Sequence, residues 1–399
     1  MSENIADIGY CAIGIEATKG TAVTPDVKIP LYSETLATIL NLDDDIPIMG
    51  NRFARYAIRQ GQRDHTGEIL VLAEPKTAPH FFNMLLTKGT TTNSGSVYTH
   101  PYTHGNTTNS YTLEFDKGGI IHRYMGVEVR SIVPVFEENV MKLRLEVSAL
   151  KQFSIAPISS ASGTTVTLAT DYDPNPTDGV VAGDTIVLVD VSGGTSGDTE
   201  EVTISSVDSG TQLTVSSITG TYTTGDYCYV KAQSLSETLG APFSWARTEF
   251  RFGTTAAVAL TATHTALERG SEWRLYNRFE DDAGAKRSGS YDPISLVRTI
   301  GDVELSAKQF FDDAVELQKW LSVTKVACVI RSFGALISGT TYNEIRVTIN
   351  SMKIKESPDP MTSNEIIYLN QVYGAQYDTS DAQGMDVKVI NDVAATSYE

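Results

Sequence analysis

Residues 111–147 read YTLEFDKGGIIHRYMGVEVRSIVPVFEENVMKLRLEV. Tyr111, Leu113 and Phe115 alternate with Thr112 and Glu114, and Met125, Val127 and Val129 alternate with Gly126, Glu128 and Arg130. Met141, Leu143, Leu145 and Val147 alternate in turn with Lys142, Arg144 and Glu146. Successive side chains of a strand point to opposite faces. A period of two with one apolar and one polar set therefore predicts an antiparallel sheet, one side in a core and the other on water or a neighbour. Thr, Ser, Gly, Tyr and Val are prominent along the whole chain and long helical patterns are few, so the class is all-β.

Upstream of this stretch, Ile29–Asn41 reads as a strand, followed by a polar loop with Asp43, Asp44, Asp45, Pro47, Gly50, Arg52 and Arg55, and by a returning strand at 67–72. Thr77 stands where it can cap a short helix, Pro79 falls in the first turn, and Lys88-Gly89 marks the exit. Phe81, Phe82, Leu85 and Leu86 give that helix one apolar stripe, predicting that one face packs on a sheet.

The same order recurs later. Strands are expected from Thr248 to Phe252 and from Trp273 to Phe279, then a polar loop with Asp281, Asp282, Lys286 and Arg287, then a strand from Val303 to Phe311. Asp313 and Glu316 form an Asp variant of the capping box ahead of a second short helix through Trp320 and Leu321. Strands at Ile345–Ile349, Ile366–Tyr373 and Met385–Val389 complete the set. Segments 29–150 and 245–392 thus share an element order without sharing residue identities. They predict two β-sandwich or barrel units in tandem with two short helices, one in each.

The intervening segment differs in composition. Between 154 and 233 there are ten acidic residues and one base, Lys231, so half of the net charge of −18 sits in about a fifth of the chain. Ile158–Leu168 (ISSASGTTVTL) recurs as Ile204–Val215 (ISSVDSGTQLTV), and Ala182–Leu188 is echoed by Thr224–Val230. Two hairpin-plus-strand units of this size make a small β-barrel or β-sandwich. Strong self-repulsion suits an outer, solvated lobe. The expected organisation is 1–153 (a polar, extended arm over 1–28 and a first unit), 154–233 (the inserted acidic lobe) and 234–399 (a second unit).

Composition also excludes function classes. Hydrophobic content of 41% with 20% charged residues rules out wholesale disorder. With 31 basic against 49 acidic residues and no basic run, the chain is not built to grip nucleic acid. No apolar run approaches a membrane span, so no membrane insertion is expected. The first residues, MSENIADIGY, lack a signal-peptide pattern, and Cys11, Cys228 and Cys328 read as reduced thiols of a protein made in a cytoplasm. The segment Asp171–Gly179 fails as a Ca²⁺ loop because Pro176 and Ala182 occupy the positions of the turn glycine and the bidentate acid. His100 and His104 have metal-like spacing but lack thiols or a HExxH helix, and Pro101 and Gly105 place them in a turn. No GxGxxG, Walker A or GxSxG motif occurs, so no enzyme activity, cofactor, metal or catalytic residue is expected.

Several stretches are similar to the tail tube (major tail) proteins of long-tailed bacteriophages. Gly14–Pro25 resembles that family's opening arm and Ile29–Leu36 its first strand. The likeness continues through Gly50–Arg52, Gly67–Pro75, the short helix ending Leu85-Leu86, Ser110–Glu114 and Tyr124–Val129, and the strands after Pro242–Trp245 resemble the family's later half. It covers about four-fifths of the chain, with 154–233 outside it.

The resemblance implies a virion structural protein, assembled in the host cytoplasm and located in the tail. Its copies form rings whose joined inner sheets make a hollow conduit for double-stranded DNA, which passes without specific binding. Partners implied are the chain itself, the tail tip or baseplate, the tape-measure protein and the tail-terminator protein. Family rings are commonly six-fold, so a duplicated unit favours a trimeric, pseudo-six-fold ring over a hexamer. A surface lobe would obstruct a sheath, which favours a non-contractile tail. Residues expected at ring-stacking or inter-subunit contacts are Glu16, Lys19, Asp43, Asp44, Asp45, Arg52, Arg55, Asp281, Asp282, Lys286 and Arg287. The alternative is a glycan- or surface-binding β-sandwich protein of the virion, serving as decoration or in the baseplate.

Overall fold

The alternation at 111–147 becomes antiparallel sheet, as do all strand pairings described below. The computed structural model describes residues 10–45, 57–170, 173, 175–191, 198–236, 240–280, 291–310, 315–357 and 368–399. The first part contains β1 (Cys11–Ile15), β2 (Val27–Lys28), β3 (Leu31–Glu34), β4 (Ala37–Asp45) and β5 (Ala57–Leu72), then helix α1 (Ala78–Leu85). It continues with β6 (Thr87–Lys88), β7 (Thr92–Ser94), β8 (Val97–Thr103), β9 (Tyr111–Lys117), β10 (Ile120–Glu137), β11 (Val140–Ala149) and β12 (Lys151–Phe153). The middle segment supplies β13 (Ile155–Leu168), β14 (Thr185–Val189), β15 (Thr199–Val207), β16 (Gln212–Thr223) and β17 (Tyr227–Val230). The last part supplies β18 (Thr248–Gly253), α2 (Ala256–Thr261), β19 (Glu272–Glu280), β20 (Val297–Phe310) and α3 (Val315–Leu321). It ends with β21 (Val326–Ser338), β22 (Thr341–Glu356), β23 (Tyr368–Ala375) and β24 (Met385–Asn391).

The pairing pattern of the first unit is repeated in the second. Strand β5 pairs with β4 and β11, β11 with β10, and β10 with β9 and β12, while β9 pairs with β1. Correspondingly, β20 pairs with β19 and β23, β23 with β22, and β22 with β21 and β24, while β21 pairs with β18. The irregularities repeat too. A register shift between Val129 and Ser131 in β10 recurs between Ile354 and Glu356 in β22. One between Leu40 and Leu42 in β4 recurs between Asn277 and Phe279 in β19. Bulges re-aim a strand at one residue, so matched bulges align the two units position by position.

The two units share one apolar core. Leu143, Leu145 and Val147 of β11 pack in the same cluster as Trp273, Leu275, Val303, Leu305, Val347 and Val387. The units are stitched by β10 against β19 (Ser131↔Tyr276, Ile132↔Leu275) and by β8 against β24. His100 and Pro101 therefore lie in a strand, not in the expected turn; Pro101 stands opposite Lys388 and its carbonyl accepts from the Gly89 N–H at 2.8 Å.

Helix α1 lies where expected, but Thr77 does not cap it with its side chain. The buried Glu74 carboxylate instead accepts the Thr77 N–H at 2.5 Å. The helix is buried on every face, against the expectation of a single apolar stripe. Asp313 of the second expected helix start lies outside the described residues, and α3 carries Glu316 in its first turn, paired with Lys319. A third short helix, α2, was not expected; the Thr255 hydroxyl caps it by accepting from the Val258 N–H at 3.3 Å.

The middle segment closes into a five-stranded barrel, β13–β16–β15–β14–β17 and back to β13. Its expected internal repeat survives in part. Asp184 and Asp226 each follow a glycine of positive φ and each accept from the N–H three residues back, Val181 at 2.9 Å and Thr223 at 2.8 Å. The Asp184 carbonyl accepts from Ile204 and the Asp226 carbonyl from Ile158, both at 2.8 Å, so the two copies clasp each other. The expected first hairpin, 158–168, is one bent strand of β13 instead.

Candidate functional site: the open edges of the sheet

Within the chain, one unit joins the next through defined contacts. At the β10–β19 junction, Arg274 Nη2 reaches Glu146 Oε1 of β11 at 3.1 Å. Arg298 of β20 donates to Glu128 Oε2 at 2.9 Å, to the Leu85 carbonyl at 2.9 Å and to the Met84 carbonyl at 2.7 Å. Asn277 of β19 donates to the Leu85 carbonyl at 2.7 Å. The last carbonyls of a helix have no intrahelical donor and carry partial negative charge, so a guanidinium and an amide are apt partners. The second unit's hairpin thus seals the end of the first unit's helix.

The repeat shows where the same junction is unfilled. Aligning the units on their bulges matches Ser131 and Ile132 of β10 with Glu356 and Ser357 at the end of β22. It likewise matches Leu275 and Tyr276 of β19 with Thr38 and Ile39 of β4. Among the described residues, β4 pairs with β5 alone, and residues 353–356 pair only with β23. The chain therefore presents two complementary edges, one at each end of its row of strands. The β4–β5 hairpin also exposes Ile39, Leu40, Leu42 and Ile58. A long edge with exposed apolar side chains templates pairing with another chain unless it is covered.

The residues expected at contacts are distributed differently. Glu16 is an internal anchor: buried, it accepts from the N–H groups of Gly20 (2.7 Å) and Gly126 (2.8 Å) and the hydroxyls of Ser110 (2.7 Å) and Thr112 (3.0 Å). Its carboxylate has no spare face for a neighbour, which removes it from the contact set. Lys19 is paired with the buried Glu128. The segment Cys11–Ile15, expected in a reaching arm, is a buried strand on β9. Asp43, Asp44 and Asp45 lie in strand β4 and not in a loop, opposite Arg59, Ile58 and Ala57. Arg52, Arg55, Asp281, Asp282, Lys286 and Arg287 lie outside the described residues. Among the described residues, the connection from β19 to β20 does meet β5. The Arg63 N–H donates to the Tyr291 carbonyl at 2.7 Å, and His65 Nε2 lies 3.2 Å from Asp292.

A second constellation joins the barrel to the body. Arg123, fully buried, donates from Nε to Glu114 at 2.7 Å and from Nη1 to Asp184 at 2.6 Å and to the Gly179 carbonyl at 2.8 Å. Tyr10 adds a hydroxyl to Glu114, and Thr24 one to Asp184 at 2.9 Å. Burial opposes the guanidinium charge, yet Glu114 and Asp184 hold its pKa above the ordinary value. Burial, reinforced by the Glu114 charge, pushes the Tyr10 hydroxyl well up. Glu114 and Thr112, expected on a wet face, are both buried: Val23 and Glu16 engage the Thr112 hydroxyl, and Tyr10 and the barrel-bound Arg123 engage Glu114.

Sequence reasoning found the strands but missed Arg123, Asn277, Arg298 and the two open edges. An isolated arginine within an alternating strand, beside residues of an apolar set, was the one available signal for Arg123. No protein-family model and no curated protein matches the sequence.

Proposed function

We propose that this chain is the structural subunit of a phage tail tube. Copies join edge to edge into rings, three chains to a pseudo-six-fold ring, and rings stack into a hollow conduit for double-stranded DNA. The observation that supports this reading is the internal junction whose two halves recur, unoccupied, at β4 and at the end of β22. A head-to-tail contact that closes by rotation produces a ring, and closure removes every free edge of this row. Six units are supplied by three copies because each chain already contains one such junction, in line with the six-fold rings of the proteins it resembles.

The sheet face opposite the core would then line the bore. It carries Arg144, Glu146, Arg274, Glu304 and Lys355, with Arg274 on Glu146 at 3.1 Å and Lys355 on Glu304 at 3.0 Å. Arg274 and Lys355, already held by carboxylates, release few counterions from passing phosphates, so they give the wall little hold on DNA. Tail tip, tape-measure and terminator proteins are the partners of such a tube, and the virion tail is its location.

Negative-stain electron microscopy and light scattering of the purified chain test the reading. Rings or tubes with a repeat of three chains are expected; a protein that stays monomeric at high concentration, alone and with tail-assembly partners, overturns it. A second reading, a glycan-binding lobe, draws on an open polar cleft of the barrel lined by Asp190, Asp198, Glu200 and Tyr222. Glu200 is already engaged there by Thr219, Gly220 and Tyr222, and silence of the full chain on a glycan array would confine the barrel to a structural role.

A further inference from the structure

The two helices that follow the corresponding strands β5 and β20 have opposite fates. Every residue of α1 from Ala78 to Leu85 is buried, whereas no residue of α3 is. Both helices run into the same dipeptide, Thr87-Lys88 and Thr324-Lys325. The residue before it, Leu86, is 1% exposed in the first unit, and its counterpart Val323 is 57% exposed in the second. Leu321 beside it is 70% exposed.

Part of the cover over α1 comes from the second unit, through Asn277 and Arg298 on the carbonyls of Leu85 and Met84. The rest comes mainly from β10, with β8, β24 and the C-terminal turn, Ala395–Tyr398. By the shared bulges, the counterparts of Asn277 and Arg298 are Leu40 and Gln60, on the β4–β5 hairpin. That hairpin is where Leu40 (48%), Leu42 (57%) and Ile58 (58%) stand exposed. Single exposed apolar residues are ordinary. Two exposed clusters at positions that the repeat brings together in the other unit require a common cause.

We propose that the end of α3 is a socket for the β4–β5 hairpin of a second copy of this chain. Leu40 and Leu42 of one copy pack on Leu321 and Val323 of the next. This rests on the ring reading and extends it from sheet edges to a side-chain contact. It is continuous with the open end of β22, against which α3 packs. The polar seal inside the chain and the apolar seal between chains follow from physics. Units on one chain are tethered, whereas separate copies associate only if the contact buries enough apolar surface to offset lost freedom.

Leu40→Glu and Leu321→Glu each alter a side chain exposed in the single chain, so circular dichroism and the melting curve stay as in wild type. Each is expected to lower the assembled fraction, measured by sedimentation, at least ten-fold, and Leu40→Lys combined with Leu321→Glu to restore it. As a second measurement, Leu40→Cys/Leu321→Cys treated with a short bis-maleimide should give species of two and three chains. Either cysteine alone gives none, since Cys11, Cys228 and Cys328 are buried. Wild-type levels of rings from both Glu variants, or rings of the cysteine pair that do not cross-link, overturn the socket and leave the ring standing. A wild-type chain that forms no rings under any condition overturns both.

Discussion

Replacing Arg123 by methionine isolates the ion cluster that fastens the barrel to the body. The substitution keeps an unbranched apolar stem but leaves Glu114 and Asp184, at 0% and 2% exposure, without their shared cation. Breaking a buried pair by removing one partner costs about 3–5 kcal/mol, because an uncompensated charge remains in a poorly solvated site. Some compensation persists. Asp184 keeps the Val181 N–H at 2.9 Å and the Thr24 hydroxyl at 2.9 Å, and Glu114 keeps the Tyr10 hydroxyl. The loss should therefore fall near the lower end, about 3 kcal/mol. Urea denaturation followed by tryptophan fluorescence and by circular dichroism reads it as a lower midpoint. The triple variant Arg123→Met/Glu114→Gln/Asp184→Asn, with no orphaned charge, should regain more than half of the loss. A loss in Arg123→Met below about 1 kcal/mol, the level of an exposed pair, would refute the reasoning.

Three further outcomes are expected. In Ile39→Cys/Glu356→Cys, the residues placed opposite each other by the repeat should form a disulfide between copies under mild oxidation, seen as non-reducing ladders, whereas Ile39→Cys/Lys353→Cys should not. Burial lowers the His80 pKa to about 3, so the folded state keeps it neutral while the unfolded chain protonates near pH 6.5. Its contribution is complete above that pH and is lost as pH falls toward about 3, at about 1.4 kcal/mol per unit; His80→Phe should flatten that part of the acid-denaturation curve. Tyr398→Ala removes a ring that is 1% exposed, lies 4.8 Å from both His80 and His100, and donates its hydroxyl to the Lys76 carbonyl. Calorimetry should register a loss of about 3–5 kcal/mol, as for other large core side chains.

The alternation of Met141, Leu143, Leu145 and Val147 was legible because each of these side chains does face the core. Met125, Val127 and Val129 read as one face too, yet Met125 packs with the barrel and Val127 and Val129 with the body. The cause is Gly126, at a φ of +65° within a register shift between Tyr124 and Val127; a Cβ there would stand 2.7 Å from Leu150. A bulge adds a residue and inverts every face beyond it, and periodicity cannot reveal which glycine does so. Glu16 and Asp43–Asp45 were misplaced for a related reason. Charge predicts solvent only where no backbone donors converge on the carboxylate, and hairpin strands extend into polar sequence when their partner does.

Local chemistry was enough to determine the all-β class, the places of α1 and α3, the doubled element order and the separate character of the 154–233 segment. Each of these depends on interactions between near neighbours in the chain, which leave their period and their caps in the residues themselves. Only the tertiary structure decided that β10 meets β19, that Arg123 joins Glu114 to Asp184, and that α1 is wholly buried while no residue of α3 is. Those contacts link residues far apart in sequence, and their existence depends on how whole sheets twist and close, a geometry no single stretch encodes.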